Sequence, residues 1–540
     1  MKKYIKSLLT VGLFSVALTN TSCIEDAELT TAATEEQIGQ SAMASKGLLM
    51  ALAQNLNSYS SDSHYMFGYG AMIHGRDAMC ADQPVLYAGG YDWFAGWAEA
   101  LGLSKNGAVP AYTWSYYYSQ VQVANNVIRS INPETASEEA LGYLGVGYAY
   151  RAMTYLDLAR MYEYLPNEKN VGNEDDPNKE NNVLNLTVPI VTEATTEVQS
   201  QNNPRATRDS MFTFILSDLD KAEEYIVNYK EKNNTMPHLD CVYGLKARLY
   251  MWVEDYANAA LYARQAINTA TTDPMTQSEC LSTKTGFNDA SKWMWGSEMT
   301  SEDGCVKSGI INWVSFLSNE HTFGYASSAA GAHIMISKAL WDQIADTDFR
   351  KLMWKAPEDS PLFGKNEWID EGIGANLPDY ASLKFRPNEG NLTESRTAAA
   401  SAYPLMRVEE MYLIEAEAAA HSNPEQGVAL LNSFVKNYRD SKYSCSATDK
   451  DAVIEEIILQ KRIELWGEGH VFFDIKRLNM SVTRAYEGSN FDDDMAIYNT
   501  NGRPAWMNFV IPQSEENYNK AIAGWNNPDP SKAYTAIPLD

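Results

Sequence analysis

Hydrophobic positions recur at helical spacing through much of the chain. In residues 209–226 they form one stripe: Met211, Phe212, Ile215, Leu216, Leu219, Ala222 and Ile226. Positions three or four residues apart predict an amphipathic helix whose apolar face packs against a neighbour. Residues 241–268 predict two further helices, joined by a short turn near Glu254 and Asp255. The second helix carries small residues on its apolar face, so another helix can approach it closely.

Helical hairpins of this kind recur along the chain. They are predicted at residues 116–131 with 141–166, at 403–420 with 428–439, and within 451–479. A hairpin of this type buries its apolar face only by stacking on others, as in tetratricopeptide repeats. We therefore predict a mostly α fold, in which a tetratricopeptide-like scaffold of helical hairpins carries long irregular ligand-binding loops.

Three long tracts lack a sustained helical period. Residues 57–113 are rich in Gly, Tyr and Trp, residues 167–207 are polar, and residues 270–400 combine Gly, Pro, Trp and Phe. Long irregular loops in globular proteins commonly carry binding sites. Within the third tract, the alternating pattern around Trp295 predicts a short buried strand, with Trp293 free to point the other way.

The N-terminal segment follows the pattern of a secretory signal. Three lysines precede an apolar run over residues 8–18, which is too short to cross a bilayer as a mature helix. The run ends at Cys23 and resembles a bacterial lipoprotein signal, and the acidic residues after Cys23 resemble the surface-export signal of Bacteroidetes lipoproteins. We therefore expect residues 1–22 to be removed, and a chain lipidated on Cys23 that is held at the cell surface only by its acyl chains.

The charge of the chain limits its partners. Its formal net charge is −27, and loss of the three lysines of the signal brings it near −30. Such acidity argues against nucleic acid and other polyanions, which need a basic surface. Five cysteines remain after Cys23, an odd number that does not indicate a disulfide framework. Whether Cys280 and Cys305 pair is left open.

The chain lacks the motifs of the common enzyme classes. There is no H-E-x-x-H, C-x-x-C, G-x-S-x-G or Walker A sequence, and the seven histidines show no metal-ligand spacing. The acidic runs at 174–176 and 492–494 lack the alternating oxygens of a calcium loop. We predict a protein without catalytic residues, metal or cofactor.

Glu464 and Glu468 form the carboxylate pair that most resembles a catalytic one. They lie four residues apart on a predicted helix, so both can face one cleft, as a glycosidase would require. Lys461 and Arg462 lie beside them. A buried ion-pair network is therefore the simpler interpretation.

The helical segments together resemble the SusD/RagB family. The C-terminal signature of that family falls on Arg462, Glu464, Leu465, Glu468, Gly469, Phe473, Asp474 and Arg477. The helix before it is similar at Arg407, Glu410, Leu413, Glu415, Ala416 and Glu417. Segments 124–128, 149–166, 218–226 and 510–519 also match, in family order. The resemblance covers nearly the whole mature chain.

The resemblance implies a fold, a role and a division of the chain. Family members are lipoproteins of the outer membrane that sit over a SusC-like TonB-dependent transporter, capture oligosaccharides and deliver them for import. The signature residues are then structural. The chain divides into a signal peptide at 1–22, an N-terminal SusD-like region at 23–268 with the early loop aromatics, and a C-terminal SusD/RagB region at 269–540 with the central loops.

By the same resemblance, the ligand site combines aromatic rings from the early loop with others from the central loops. Aromatic rings stack on the apolar faces of sugars and lose little conformational entropy. The predicted platform rings are Tyr91, Trp93, Trp97, Trp293, Trp313 and Tyr325, with Arg76, Asp77 and Asp82 as polar partners. Residues 88–102 hold the densest group of rings, and their pattern also fits a core segment.

Two other roles stay open alongside glycan capture. Some relatives resemble peptide importers, and a groove with unpaired strand-like backbone would favour a peptide ligand. A scaffold that only holds other surface proteins would require the loop aromatics to be buried.

Overall fold

The computed structural model describes residues 42–86, 89–91, 93, 94, 97, 100–169, 182–495 and 497–539. Eleven of its helices are numbered here in chain order. They are α1 Ala42–Leu56, α2 Tyr69–Ala78, α3 Ala108–Ser130, α4 Glu138–Tyr162, α5 Arg208–Ile226, α6 Leu239–Trp252, α7 Tyr256–Thr269, α8 Val408–Ser422, α9 Pro424–Tyr438, α10 Lys450–Glu464 and α11 Val471–Arg477. The predicted mostly α fold is confirmed.

Three of the predicted helices begin at residues whose side chains cap them. Ser137 caps α4 by accepting from the Ala140 N–H, and Thr207 caps α5 by accepting from the Ser210 N–H. Asp255 caps α7 in the same way, one residue after Glu254, whose φ of 64° turns the chain between α6 and α7. Each cap satisfies a backbone donor that would otherwise lack a partner. These local signals explain why the turn near residues 254–255 is predictable.

The numbered helices stack in sequence. α1 packs on α3, α3 on α4, α4 on α5, α5 on α6, α6 on α7 and α7 on α8, and α8 contacts both α9 and α10. The close approach of α4 and α5 depends on Gly145, because a Cβ there would lie 2.4 Å from the Ile226 nitrogen. The buried alanines of α7, Ala259, Ala263 and Ala266, serve the same purpose. The tetratricopeptide-like scaffold is thus present as predicted.

Helix α2 lies in a tract that was predicted to be irregular. All ten of its residues are buried. A helix that is buried on every side has no polar face, so its sequence shows no amphipathic period. Helix α3 likewise begins at Ala108, eight residues before the predicted start.

The other described elements are short. Strand β1 (Trp295–Glu298) pairs antiparallel with β2 (Ala402–Met406), which confirms the predicted strand. Single helical turns link the remaining loops: Glu197–Ser200, Gln277–Cys280, Gly304–Lys307, Trp313–Leu317, Lys338–Trp341, Glu371–Asn376, Ser395–Ala398 and Gln513–Tyr518. Further 3₁₀ turns lie at Gly89–Tyr91, Ala100–Leu103, Ala290–Lys292, Phe349–Met353, Asn388–Gly390 and Ala505–Met507.

A buried ion-pair network, here called the charge cluster, joins α10 to the central loops. It consists of Glu464, Glu468, Arg350, Lys384, Arg407, Glu409 and Arg439. Arg439 Nε donates to Glu464 Oε2 at 2.6 Å, and Lys384 Nζ donates to Glu468 Oε1 at 2.7 Å. Burial alone would raise the pKa of Glu464, but Arg439, Arg407 and Arg350 hold that pKa well below its usual range. The predicted ion pairing of Glu464 and Glu468 is confirmed, but Lys461 and Arg462 are not the partners: they pair with Asp474 and Asp82.

Two smaller observations bear on the chemistry of the chain. Cys280 and Cys305 are both buried and unpaired, so the disulfide left open above does not form. Among the residues that the structure describes, none of the helices combines the length and the apolar character needed to cross a membrane.

Candidate functional site

The early loop and the central loop are joined by backbone hydrogen bonds. Val85 and Ile334 form an antiparallel bridge, the Leu86 N–H donates to the His333 oxygen at 2.8 Å, and the Met335 N–H donates to the Pro84 oxygen at 2.9 Å. This pairing brings the aromatic stretch that follows residue 86 close to residues 313–325. The two regions predicted to share a site are therefore neighbours.

Three rings from these regions form a partly exposed cluster, here called the ring cluster. Trp93 stacks on His64 with 4.5 Å between the ring centroids and 22° between the planes. The Nδ1 atom of His64 shares a hydrogen bond with the Tyr325 hydroxyl. Trp93 and His64 are half-buried, whereas Tyr325 is buried. Burial lowers the pKa of His64, so its ring is neutral at neutral pH and presents no charge beside Trp93.

The loop beneath the ring cluster is fixed by His321. Its Nε2–H donates to the Val314 oxygen at 3.0 Å, and its Nδ1 accepts from the Gly324 N–H at 3.1 Å. Burial lowers the pKa of His321 to about 4, which keeps the neutral form that both bonds require. Tyr325, the next residue, stacks on Phe316 at 4.7 Å. These contacts fix the part of the loop that carries Tyr325.

The aromatic stretch at residues 88–102 divides between core and surface. Phe94 packs edge-on against Phe316 at 5.2 Å. Trp97 is fully buried against Gly75, where a Cβ would lie 2.3 Å from the Trp97 ring. Trp93 is half-buried and carries the exposed ring surface. The side chain of Tyr91 lies outside the described residues, so its predicted role stays a prediction.

Most of the other predicted platform rings are core residues, and their predicted exposure is wrong. Trp97, Trp293 and Trp313 each have 0% exposure, so their faces are not available to a ligand. Trp313 stacks on Tyr403 and meets the edge of Phe385, both at 5.1 Å. Trp293 packs against Phe287, with 5.8 Å between the ring centroids, and against Gly296. Tyr325 is 5% exposed, and it contacts His64 through its hydroxyl and through its ring, with 5.7 Å between the centroids.

The predicted polar partners are also structural, which corrects that expectation. Arg76 Nη1 donates to Asp157 at 2.9 Å inside the core. Asp82 pairs with Arg462, whose Nε donates to it at 2.9 Å.

Asp77 is the third predicted polar partner, and it too faces inward. It accepts from the Gly469 N–H at 2.9 Å, and burial raises its pKa to about 7. All three lie within or beside α2, and the burial of that helix turns their charges inward.

Some predicted features remain untested. Cys23, the signal segment and the acidic run at 174–176 lie outside the described residues. The carboxylate oxygens of Asp492, Asp493 and Asp494 lie within 4.8 Å of one another, and two of these residues are exposed. Exposed acidic groups of this kind are common without a metal ion.

Sequence reasoning missed His64. The spacing of the seven histidines gives no sign of a role for it, yet it connects Trp93 to Tyr325. Its position in the Gly- and Tyr-rich tract, beside Tyr65 and Phe67, was the one available signal.

Comparison with known proteins yields a consistent group. A family model described as "SusD family" matches residues 371–535, and a second, described as "Starch-binding associating with outer membrane", matches residues 91–251. A SusD-like protein of Formosa agariphila is 25% identical over 439 residues, which cover 75% of this chain and 78% of that protein.

Solved structures agree with the helical fold. A SusD-like carbohydrate binding protein from Bacteroides vulgatus has a TM-score of 0.68 at 22% identity, covering 92% of this chain and 99% of that chain. A SusD superfamily protein from Bacteroides thetaiotaomicron has a TM-score of 0.65 at 18% identity, covering 90% and 100%. A laminarin binding SusD-like protein has a TM-score of 0.61 at 16% identity, covering 91% and 99%.

Proposed function

The chain belongs to the SusD/RagB family, and from that premise we propose that it is a non-enzymatic glycan-binding lipoprotein of the cell surface. It captures an oligosaccharide or polysaccharide and passes it to a SusC-like TonB-dependent transporter in the outer membrane. Two observations from relatives support the ligand class: one family model is described as starch-binding, and one structural neighbour is described as laminarin binding.

The observation that carries the proposal is the ring cluster. Trp93 offers one partly exposed indole on a stack whose lower ring, His64, is itself held by Tyr325. A preorganised aromatic face loses little entropy when a sugar ring stacks on it. Because His64 is neutral, the surface suits a neutral ligand. We assign Trp93 as the main contact, with Tyr91 as its predicted neighbour.

The test is native affinity electrophoresis of the chain from residue 24 through gels that contain single polysaccharides. The panel includes laminarin, starch, xylan and an acidic polysaccharide. We expect one neutral polysaccharide to retard the protein, and Trp93→Ala to abolish the retardation while the far-UV circular dichroism is unchanged. Trp525→Ala is the matched control, because Trp525 is 41% exposed and lies outside the ring cluster. Equal retardation of the two variants would contradict the assignment of Trp93.

The membrane anchor and the partner need separate tests. We expect the full chain, expressed in a Bacteroidetes host, to incorporate a fatty-acid label that Cys23→Ala loses. We also expect the labelled protein to co-purify with a TonB-dependent barrel. Recovery of the unlabelled variant in the medium would support the anchor, whereas labelling of Cys23→Ala would overturn it.

A scaffold role is the second candidate, and one observation favours it. Trp97, Trp293 and Trp313 are buried, which is the condition that this role requires. If no polysaccharide retards the protein while surface proteins are cross-linked to its helical hairpins, the scaffold role replaces glycan capture. Trp93 distinguishes the two roles, because a scaffold has no need for its exposed face.

A further inference from the structure

A second groove lies on elements that do not contribute to the ring cluster. It has a volume of about 580 Å³ and runs between α3, residues 189–203 and the short helix Gln513–Tyr518. That volume falls within the range of ligand pockets, roughly 300–1,000 Å³. None of the residues that line this groove was among the predicted ligand-binding residues.

Aromatic rings form the groove's apolar surface. Trp114 and Tyr118 lie four residues apart on α3 and therefore share one face of the helix, with 4.6 Å between their centroids. The Tyr118 hydroxyl donates to the Pro189 oxygen at 2.7 Å, which fixes the ring against the opposite wall. Tyr518 is 45% exposed, and its hydroxyl lies 3.2 Å from Ser200 Oγ. Two walls of the groove thus carry preorganised rings.

Polar groups line the same groove without a positive charge. Ser115 and Gln122 are exposed and lie seven residues apart, on the face that holds Tyr118. Glu515 is half-buried and its pKa is raised by burial, while hydrogen bonds from Asn519 and Trp114 oppose the rise. Of the described residues that line the groove, none is Lys or Arg. The nearby Lys105 pairs instead with Glu516, at 3.6 Å.

This combination identifies a class of ligand. Aromatic faces suit the C–H faces of a sugar, while the carboxylate and amide accept and donate hydrogen bonds to its hydroxyls. The acceptor Glu515 disfavours anionic ligands. Its raised pKa, and the lack of a second acidic residue among the described residues that line the groove, also give little attraction for a cation.

We propose that this groove is a second binding site for a neutral saccharide chain, with Tyr118 and Tyr518 as stacking rings and Glu515 and Gln122 as hydrogen-bonding groups. It is separate from the ring cluster, so the chain holds one saccharide at the loops and another at the helical side. The proposal rests on the chemistry of the groove and does not depend on Trp93.

Hydroxyl-radical footprinting of the full chain tests the groove at single-residue resolution. The probes are maltohexaose, laminarihexaose and xylohexaose at millimolar concentration. At least one should slow the oxidation of Tyr518 several-fold, because a stacked sugar covers its exposed face. Trp525, which is 41% exposed and does not line the groove, should be oxidised at an unchanged rate and serves as the control.

Variants separate the groove from the ring cluster. Gln122→Ala should raise by about tenfold the probe concentration that half-protects Tyr518, which corresponds to about 1.4 kcal/mol. Trp93→Ala should leave the protection of Tyr518 unchanged, even where it abolishes retardation in polysaccharide gels. Tyr518 oxidation that none of the three probes slows would overturn the proposal, and so would protection that Trp93→Ala removes. Failure of gel retardation with intact Tyr518 protection would count against the ring cluster alone.

Discussion

The charge cluster and the ring cluster show opposite uses of buried side chains. In the charge cluster, the signature carboxylates Glu464 and Glu468 are buried and paired, and Glu464 by itself accepts from Arg439, Arg407 and Arg350. In the ring cluster, the buried Tyr325 and the half-buried His64 support Trp93, which is only half-buried. The first cluster contributes to folding and exposes nothing, whereas the second offers surface to a ligand. A charged or aromatic residue that stands out in the sequence is thus not necessarily a binding residue.

The largest expected effect comes from breaking the charge cluster. Glu464→Gln leaves Arg439 and Arg350 buried beside a neutral amide, so we expect the free energy of unfolding to fall by about 3–5 kcal/mol. The measurement is urea denaturation followed by circular dichroism. Glu415→Gln is the matched control, since its partner Arg264 is 39% exposed, and a loss below about 1 kcal/mol is expected there. A loss as small for Glu464→Gln would show that the cluster is not structural.

A slightly smaller loss of stability is expected at Trp313, which was predicted to be a platform ring and is a core residue. Trp313→Ala removes a fully buried ring between Tyr403 and Phe385, and we expect a loss of about 3 kcal/mol in the free energy of unfolding. Trp525→Ala should cost about 0.5 kcal/mol or less. If Trp313→Ala kept its stability and lost polysaccharide retardation instead, the original platform prediction for Trp313 would be restored.

A third prediction separates two neighbouring carboxylates by pH. Burial raises the folded-state pKa of Asp77 to about 7, above its unfolded value of about 3.8. The protonated Asp77 therefore contributes fully to folding stability below pH 4, and this contribution is lost as pH rises toward 7. Asp77→Asn should therefore raise stability at pH 8 by about 2 kcal/mol and flatten the pH profile between 4 and 7. Asp82→Asn weakens the pair with Arg462 and should lower stability. The measurement is thermal denaturation across this pH range. A change of the same sign in the stability of both variants would refute the different roles given to Asp77 and Asp82.

The smallest effect is expected inside the ring cluster. His64→Ala removes the ring beneath Trp93 and should cost about 1 kcal/mol of stability, as expected for one aromatic pair. Affinity for the retarding polysaccharide should fall more than stability does, because Trp93 loses its fixed orientation. His238→Ala provides a histidine control on the scaffold side. Unchanged affinity in His64→Ala would show that Trp93 does not need its support.

Periodicity predicted the scaffold because its helices have one apolar and one polar face. The stripe from Met211 to Ile226 and the turn at Glu254 both appear as expected. Helix α2 escaped prediction, since a helix buried on all sides leaves no alternation in the sequence. The same burial explains why Arg76, Asp77 and Asp82 were wrongly predicted to be polar ligand contacts. They resemble exposed loop charges in the sequence but are buried in the fold.

In the aromatic stretch at residues 88–102, the sequence does not decide which rings are buried. Local spacing gives Trp93 and Trp97 the same face of a helix, yet Trp97 is fully buried against Gly75 and Trp93 is half-buried on His64. Residues 64, 93 and 325 are separated in the chain. Tertiary contacts bring them together, among them the pairing of residues 84–86 with 333–335 and the packing of Phe94 on Phe316.

The sequence by itself determined the helical scaffold, the acidic character of the chain and the ion pairing of Glu464 and Glu468. The scaffold follows from local periodicity and the acidity from charge totals. For Glu464 and Glu468 the sequence indicated pairing but not the partners, because Arg439, Arg407, Arg350 and Lys384 come from distant segments. The tertiary structure alone decided which aromatic rings are covered and which groove lies between α3 and the C-terminal segment. Exposure depends on what packs over a side chain, and those partners are remote in the sequence: 22 residues separate Trp97 from Gly75, and 90 separate Trp313 from Tyr403.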